Sequence, residues 1–216
     1  MVAAVVVGAA LWVGAGAAFL LLLLFFFATA SALSRSLDST STGREDRTGR
    51  TAAQVFANGG VATAAALTGL SGLLPGAPFA VAGALAAAMA DTWATELGTS
   101  AGWPTRLISS GRLVPPGASG GVSWPGTAAA CVASALFGLV AAALVTGPSM
   151  VATGPSVVLW PTVTVVAGAL GMTIDSLLGA TLEGRLGWMN NQTVNLVGTA
   201  AGALAGWATA AVLGLW

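Results

Sequence analysis

Long apolar runs alternate along this chain with shorter polar stretches, and the alternation marks six segments. The first covers about Val2 to Leu33 and ends in LLLLLFFFATASAL. Crossing a hydrocarbon core of roughly 30 Å takes about 20 apolar residues, so this segment is longer than one crossing needs. The Gly14-Ala15-Gly16 stretch predicts a break there, into a tilted span or a hairpin pair. The second segment runs from about Ala52 to Leu74, and a Pro75-Gly76 turn leads into the third, Ala77 to Leu97. The fourth covers about Trp124 to Val145, the fifth Ser156 to Leu178, and the sixth Thr193 to Trp216. The pattern predicts an all-α polytopic membrane bundle forming a single transmembrane domain over 1–216. It has about six transmembrane helices, or seven if the first segment is a hairpin. No basic residue precedes the first apolar run, so a secretory signal peptide is not expected.

Composition sharpens this picture. Hydrophobic residues make up 56% of the 216 and charged residues only 6%, against about 25% charged in soluble domains. The 30 glycines suit helices that approach closely in lipid through small side chains. All seven positive charges are arginines: Arg35, Arg44, Arg47, Arg50, Arg106, Arg112 and Arg185. They follow the first, third and fifth segments, so they share one membrane face. The polar loop 34–51 and the Gly/Pro-rich loop 98–123 lie on that face, while Pro75-Gly76 and Thr146 to Pro155 carry no charge. The bias of Lys and Arg toward the cytoplasm makes the arginine face cytoplasmic and the expected location the cell (plasma) membrane. The acids follow the same geography: Asp38, Glu45 and Asp46 in the first loop, Asp91 and Glu96 closing segment three, Asp175 and Glu183 closing segment five. A transporter or channel would place polar groups along a path to the far side, and the uncharged opposite loops argue against one.

Residue usage excludes much chemistry. The chain has no His, Tyr or Lys, and Cys131 is its lone cysteine. That removes a His base, a His-ligated metal, a P-loop lysine and a Schiff base. Cys131 reads as a small buried hydrophobe. Any chemistry falls to Asp, Glu, Arg, Asn, Ser and Thr, with a hard metal ion.

A repeat points to where that chemistry sits. VAGALAAAMADTWATELG from Val81 has a partner in VAGALGMTIDSLLGATLEG from Val166, each with an Asp nine or ten residues on and then a Glu before Gly. NGGVATAAAL from Asn58 and NLVGTAAGAL from Asn195 also align. Because segments three and five run in one direction, the duplication would be parallel, and two acidic helix ends would meet. An aspartate in a membrane helix costs up to roughly 2.5–3.5 kcal/mol, so it has a partner or a task. The plain reading pairs these acids with Arg106, Arg112 or Arg185. The sharper one is a magnesium site at Asp91 and Asp175, since that ion binds through one or two carboxylates plus water and phosphate oxygens.

The loop PTRLISSGRLVPPGASGGVSWPGT, Pro104 to Thr127, fits a phosphate beside them. Gly117, Gly120 and Gly121 free backbone N–H groups to face an anion, Ser119 and Ser123 add hydroxyls, and Arg106 and Arg112 add charge. A flexible connector would carry the same glycines. Gln54 and Asn58 share one helical face; so do Asn191 and Asn195 in WMNNQTVN, beside Asn190. Such amides serve as caps and interhelical contacts, or as contacts to a ribose, base or phosphate. The charge run in Gly43 to Arg50 reads as a solvated face.

RTAAQVFANGG, ADTWATELG, PTRLI, VPPGASGGVS, IDSLLGATLEG and NNQTVN resemble, in order, the motifs of the transmembrane protein 19 family, also called domain of unknown function 92. The likeness runs from about Leu24 to the end of the chain. The family includes the phytyl-phosphate kinase of vitamin E synthesis, so the resemblance implies Mg2+-dependent phosphoryl transfer from CTP or ATP to an isoprenoid monophosphate. It implies that Asp91, Glu96, Asp175 and Glu183 bind metal and orient phosphates. Arg112 and the Gly117 to Ser123 loop would hold phosphoryl oxygens, with Asn58, Asn190, Asn191 and Asn195 as further contacts. The lipid bilayer and the isoprenoid phosphate are the expected partners, with no nucleic acid. The chain departs from the family at Ala118 and Ser119, where Thr and Asn are common. Members also carry further membrane sequence ahead of this starting point, which leaves room for a missing span. A cytidylyltransferase or phosphatase acting on a lipid phosphate would use similar residues.

Overall fold

A computed structural model describes residues 1–37, 51–146 and 156–216. The described residues form seven helices and three short strands: α1 (Val2–Ala15), α2 (Ala17–Leu37), α3 (Ala52–Leu70), α4 (Ala77–Ser100), β1 (Thr105–Leu107), β2 (Leu113–Val114), β3 (Gly121–Val122), α5 (Trp124–Thr146), α6 (Ser156–Thr181) and α7 (Asn191–Val212). Five of the helices, α2, α4, α5, α6 from Val157 and α7, are long and apolar enough to cross a membrane. The expected second span, α3, has the length but, with Gln54, Asn58 and Thr63 in it, is not one of the five. The loop charges Asp38, Arg44, Glu45, Asp46, Arg47 and Arg50, and the uncharged stretch 147–155, lie outside the described residues.

The break predicted in the first segment falls at Gly16, whose φ of 87° ends α1. The two pieces form a hairpin. Val7 packs onto Gly59 and Gly14 onto Ala66, so α1 runs parallel to α3. Near its other end, Ser34 of α2 donates to Glu96 of α4 at 2.9 Å, so α2 returns to the level where α4 ends. The N-terminal side of α1 therefore sits at the same end of the bundle as the ends of α2 and α4.

At the centre stands α4, packed against α2, α3, α5, α6 and α7. Every residue from Ala80 to Ala90 is buried. Alanine and glycine make this packing close: a Cβ on Gly83 would lie 2.3 Å from the Gly202 carbonyl, and one on Gly171 would lie 2.4 Å from Ala87. Gly198, Gly202 and Gly206 form one stripe of α7 that meets α6 and α4. Along that stripe, higher α7 numbers meet lower numbers on both partners, so α4 and α6 are parallel and α7 opposes them. This is the orientation the repeat requires.

Three features differ from expectation. The helices run further than their apolar stretches: α4 continues to Ser100 and α6 to Thr181. Asp91, Glu96 and Asp175 stand inside these helices, as the segment bounds imply, and the added turns place them further from the helix ends, because Thr, Ser and Gly extend the helix without being apolar. The 98–123 stretch is also more ordered than a connector, with β1 central in a small antiparallel sheet of order β2-β1-β3. Its register pairs Thr105 with Val114 and Arg106 with Val122. Cys131, expected to be buried, is exposed on α5.

Candidate functional site

Four helices and the loop converge on a cavity of about 230 Å³ at the end of the bundle where α4 stops. Asp91, Thr95 and Thr99 line it from α4, at successive turns of one helical face. Met172, Asp175 and Ser176 line it from α6, Gly126 and Thr127 from the start of α5, and Asn191 from α7. Gly117 to Ser123 form its roof, and Glu183 stands at the edge.

The roof is held by close packing. Gly120 sits at φ 72° with Ala180 so near that a Cβ would come within 2.4 Å of it. Gly179 leaves the room that Ser119 and Gly120 fill. Ser119 Oγ donates a short hydrogen bond to Glu183 Oε2, which ties the roof to the turn after α6. Ser123 caps α5 by accepting from the Gly126 N–H at 3.3 Å. Within the turn, Ala118 N–H bonds the Pro115 carbonyl and Gly121 N–H the Ala118 carbonyl. The N–H groups of Gly117, Ser119 and Gly120 meet no acceptor among the described residues.

Beneath the cavity lies a second space of only about 10 Å³, lined by Asn58, Asp91, Asp175, Asn195 and Thr199. Both aspartates line both spaces, so they form the partition between them. The Asn195 amide faces two acceptors, so its nitrogen is the atom directed at them, 2.9 Å from Asp175 Oδ2 and 3.3 Å from the Asn191 carbonyl. Gly198, one turn on, leaves room for the Asp175 side chain. Asp175 lies within electrostatic reach of both Asp91 and Glu183. Among the described residues no arginine forms an ion pair with any of these carboxylates, and no set of three acidic side chains is close enough to hold a metal ion alone.

The structure therefore gathers some of the residues singled out from sequence and separates others. Asp91, Asp175, Glu183, Gly117, Ser119, Gly120, Gly121, Ser123 and Asn191 line the cavity, and Asn58 and Asn195 the space below. Glu96 does not line either and turns to Ser34. Arg106 donates to the Gly111 carbonyl at 2.9 Å within its own hairpin, and Arg112 is exposed on the same hairpin. Asn190 caps α7, accepting from the Thr193 N–H at 3.1 Å. Thr99, Thr127, Met172 and Ser176 were not singled out from sequence. Thr99 continues the Asp91–Thr95 face, and that spacing was the available signal.

These features define a helical integral membrane protein with an acidic, loop-roofed cavity at one end of its bundle. The chain belongs to the integral membrane protein DUF92 family, whose sequence model matches residues 1–203. It is 32% identical over 161 residues to an uncharacterized membrane protein of Methanocaldococcus jannaschii, covering 74% of this chain and 63% of that one. An uncharacterized membrane protein of Synechocystis is 33% identical over 115 residues, 53% of this chain and 41% of its own. The chloroplastic protein VTE6 of Arabidopsis thaliana is 28% identical over 120 residues, 54% of this chain and 33% of its own. The chain thus aligns with less than two thirds of the length of each of these relatives. No solved structure matches.

Proposed function

We propose that this protein transfers a phosphoryl group from a nucleoside triphosphate, CTP or ATP, to an isoprenoid monophosphate, with Mg2+, at the cytoplasmic face of the membrane. The observation that carries the reading is the Asp91–Asp175 pair, without arginine partners among the described residues, under a roof with free N–H groups. The family resemblance supplies the substrate class.

The donor set suits magnesium. Two carboxylates with hydroxyls nearby, and no His or Cys, match an ion that keeps water and phosphate oxygens in most of its coordination positions. Asp91 and Asp175 would hold it, and when bound it would neutralise phosphate charge and align the reacting groups. Asn195 fixes one oxygen of Asp175, which orients that carboxylate. The free N–H groups of Gly117, Ser119 and Gly120 supply dipoles for phosphoryl oxygens. An oxygen of the lipid monophosphate attacks the γ-phosphorus, the bond from γ-phosphorus to the β–γ bridging oxygen breaks, and the nucleoside diphosphate leaves with the electron pair. Such a transfer needs positioning and charge neutralisation more than a base, which suits a chain without His or Lys. The cavity is smaller than the roughly 300–1,000 Å³ of pockets that enclose whole ligands, so it fits the reacting phosphates and leaves the lipid chain outside.

The test is transfer by purified protein in nanodiscs, with phytyl or geranylgeranyl monophosphate, Mg2+ and either CTP or ATP. Wild type forms the diphosphate, and Asp91→Asn and Asp175→Asn each lower the rate by about 10²-fold or more. No product with either donor overturns the kinase reading in favour of another lipid-phosphate enzyme.

A further inference from the structure

Resting on the phosphate reading above, we infer that the hydrocarbon chain of the lipid substrate leaves the cavity sideways, through a portal between α5 and α6. Toward the middle of the bundle the seam between these helices is sealed. Gly138 lies against Pro161 and Thr164, and Gly168 against Ser134, with Thr164 Oγ1 donating to the Ser134 carbonyl at 2.8 Å. Ser134 is fully buried there.

One turn nearer the site the facing stripes of the two helices are less buried. On α5 the stripe Gly138, Ser134, Cys131, Thr127 keeps to one face at spacings of three and four. Along it, burial gives way to an exposed Cys131 and a half-buried Thr127. On α6 the matching stripe passes from buried Gly168 to half-buried Met172 and Ser176. At this level each helix has a close contact with α4: Gly126 of α5 packs on the Ala94 carbonyl, and Gly171 of α6 on Ala87. Thr127, Met172 and Ser176 line the same cavity as the aspartates, so a path between these stripes would lead directly to them. Above it the roof is shut on α6 by the Gly120–Ala180 contact and the Ser119–Glu183 bond.

The occupant follows from depth and chemistry. Trp103, Trp124 and Trp188 are all exposed around the roof, 56%, 79% and 65% respectively, as tryptophans are at headgroup level. A phosphate in the cavity is then at headgroup depth, and a chain passing between Cys131 and Met172 enters hydrocarbon directly. A water-soluble phosphate ester needs no such opening. A membrane amphiphile does.

Photolabelling decides the matter without requiring turnover. Full-length protein in nanodiscs with Mg2+ is irradiated with geranylgeranyl monophosphate carrying a diazirine near the chain end, and labelled peptides are mapped by mass spectrometry. The expected labels fall on α5 around Cys131 to Leu136 and on α6 around Val165 to Met172. Excess unlabelled geranylgeranyl monophosphate removes them, and inorganic phosphate alone does not. Cys131→Trp, a change at an exposed position, reduces them to background. Competable labels on another face, such as α1–α2 or the outer side of α7, overturn the portal and leave the phosphate site standing. No competable label anywhere overturns both.

Discussion

Asp91 and Asp175 occupy matching places in the repeat yet are held differently. Asp175 accepts from Asn195, whereas Asp91 has no hydrogen-bond donor of its own among the described residues. A carboxylate oriented by a neighbouring amide loses metal affinity by about 10–100-fold when that neighbour is removed. Asn195→Ala should therefore raise the Mg2+ concentration for half-maximal activity by about tenfold or more; an unchanged Mg2+ titration would exclude this role. The two glutamates separate in the same way. Glu183 reaches the roof through Ser119, while Glu96 is spent on Ser34. Glu183→Gln should lower phosphoryl transfer well below Glu96→Gln when the two are assayed side by side. Sequence placed both glutamates in one class because each follows its aspartate and precedes a glycine. The structure separates them: Glu96 is held inside α4 on a face that meets Ser34 of α2, whereas Glu183 stands in the turn beyond the end of α6, beside the roof. The arginines show the same limit: charge and proximity in sequence suggested the site, and hairpin geometry directs Arg106 to a carbonyl of its own turn.

The roof loop is the element on which the site most depends. Its sheet was not legible because strands of two and three residues are too short to show alternation. The need for glycine at its tip was legible, and the structure supplies the reason at Gly120. A side chain there faces both a left-handed backbone, φ 72°, and the Ala180 backbone. Gly120→Ala should destabilise by about 1–3 kcal/mol and lower the thermal midpoint in detergent, with a larger proportional loss of activity as the roof lifts from α6. A variant with wild-type midpoint and activity would mean that the loop carries no such constraint. The start of α3 offers a contrast. Thr51 and Gln54 form a reciprocal capping box there, and Thr51→Ala should cost about 1 kcal/mol in the same melting experiment.

Across the whole molecule, the pairing of α3 with α7 and of α4 with α6 brings Asn58, Asp91, Asp175 and Asn195 around one small space. That convergence was foreseeable from the repeated VAGAL and Asn-led stretches, because parallel copies place equivalent ends together. The direction of the N-terminal segment was not, since a glycine pair marks a break without saying whether the chain turns back. The Val7–Gly59 and Gly14–Ala66 contacts decide it. An epitope placed ahead of Val2 should thus lie on the same side of the membrane as one inserted at Ser109-Ser110. In intact cells both should resist external protease and become sensitive together on permeabilisation. The glycine stripe of α7 has a consequence for biogenesis as well. Since α7 follows α4 and α6 in the chain, both aspartates are delivered to the bilayer before the helix that bears Asn195 has been made. A nascent chain halted after α6 holds two carboxylates with no amide from α7 to meet them and a bare small-residue groove where Gly198, Gly202 and Gly206 would dock. The site is assembled only when α7 inserts, so the ribosome must finish α7 before the two aspartates have a settled home.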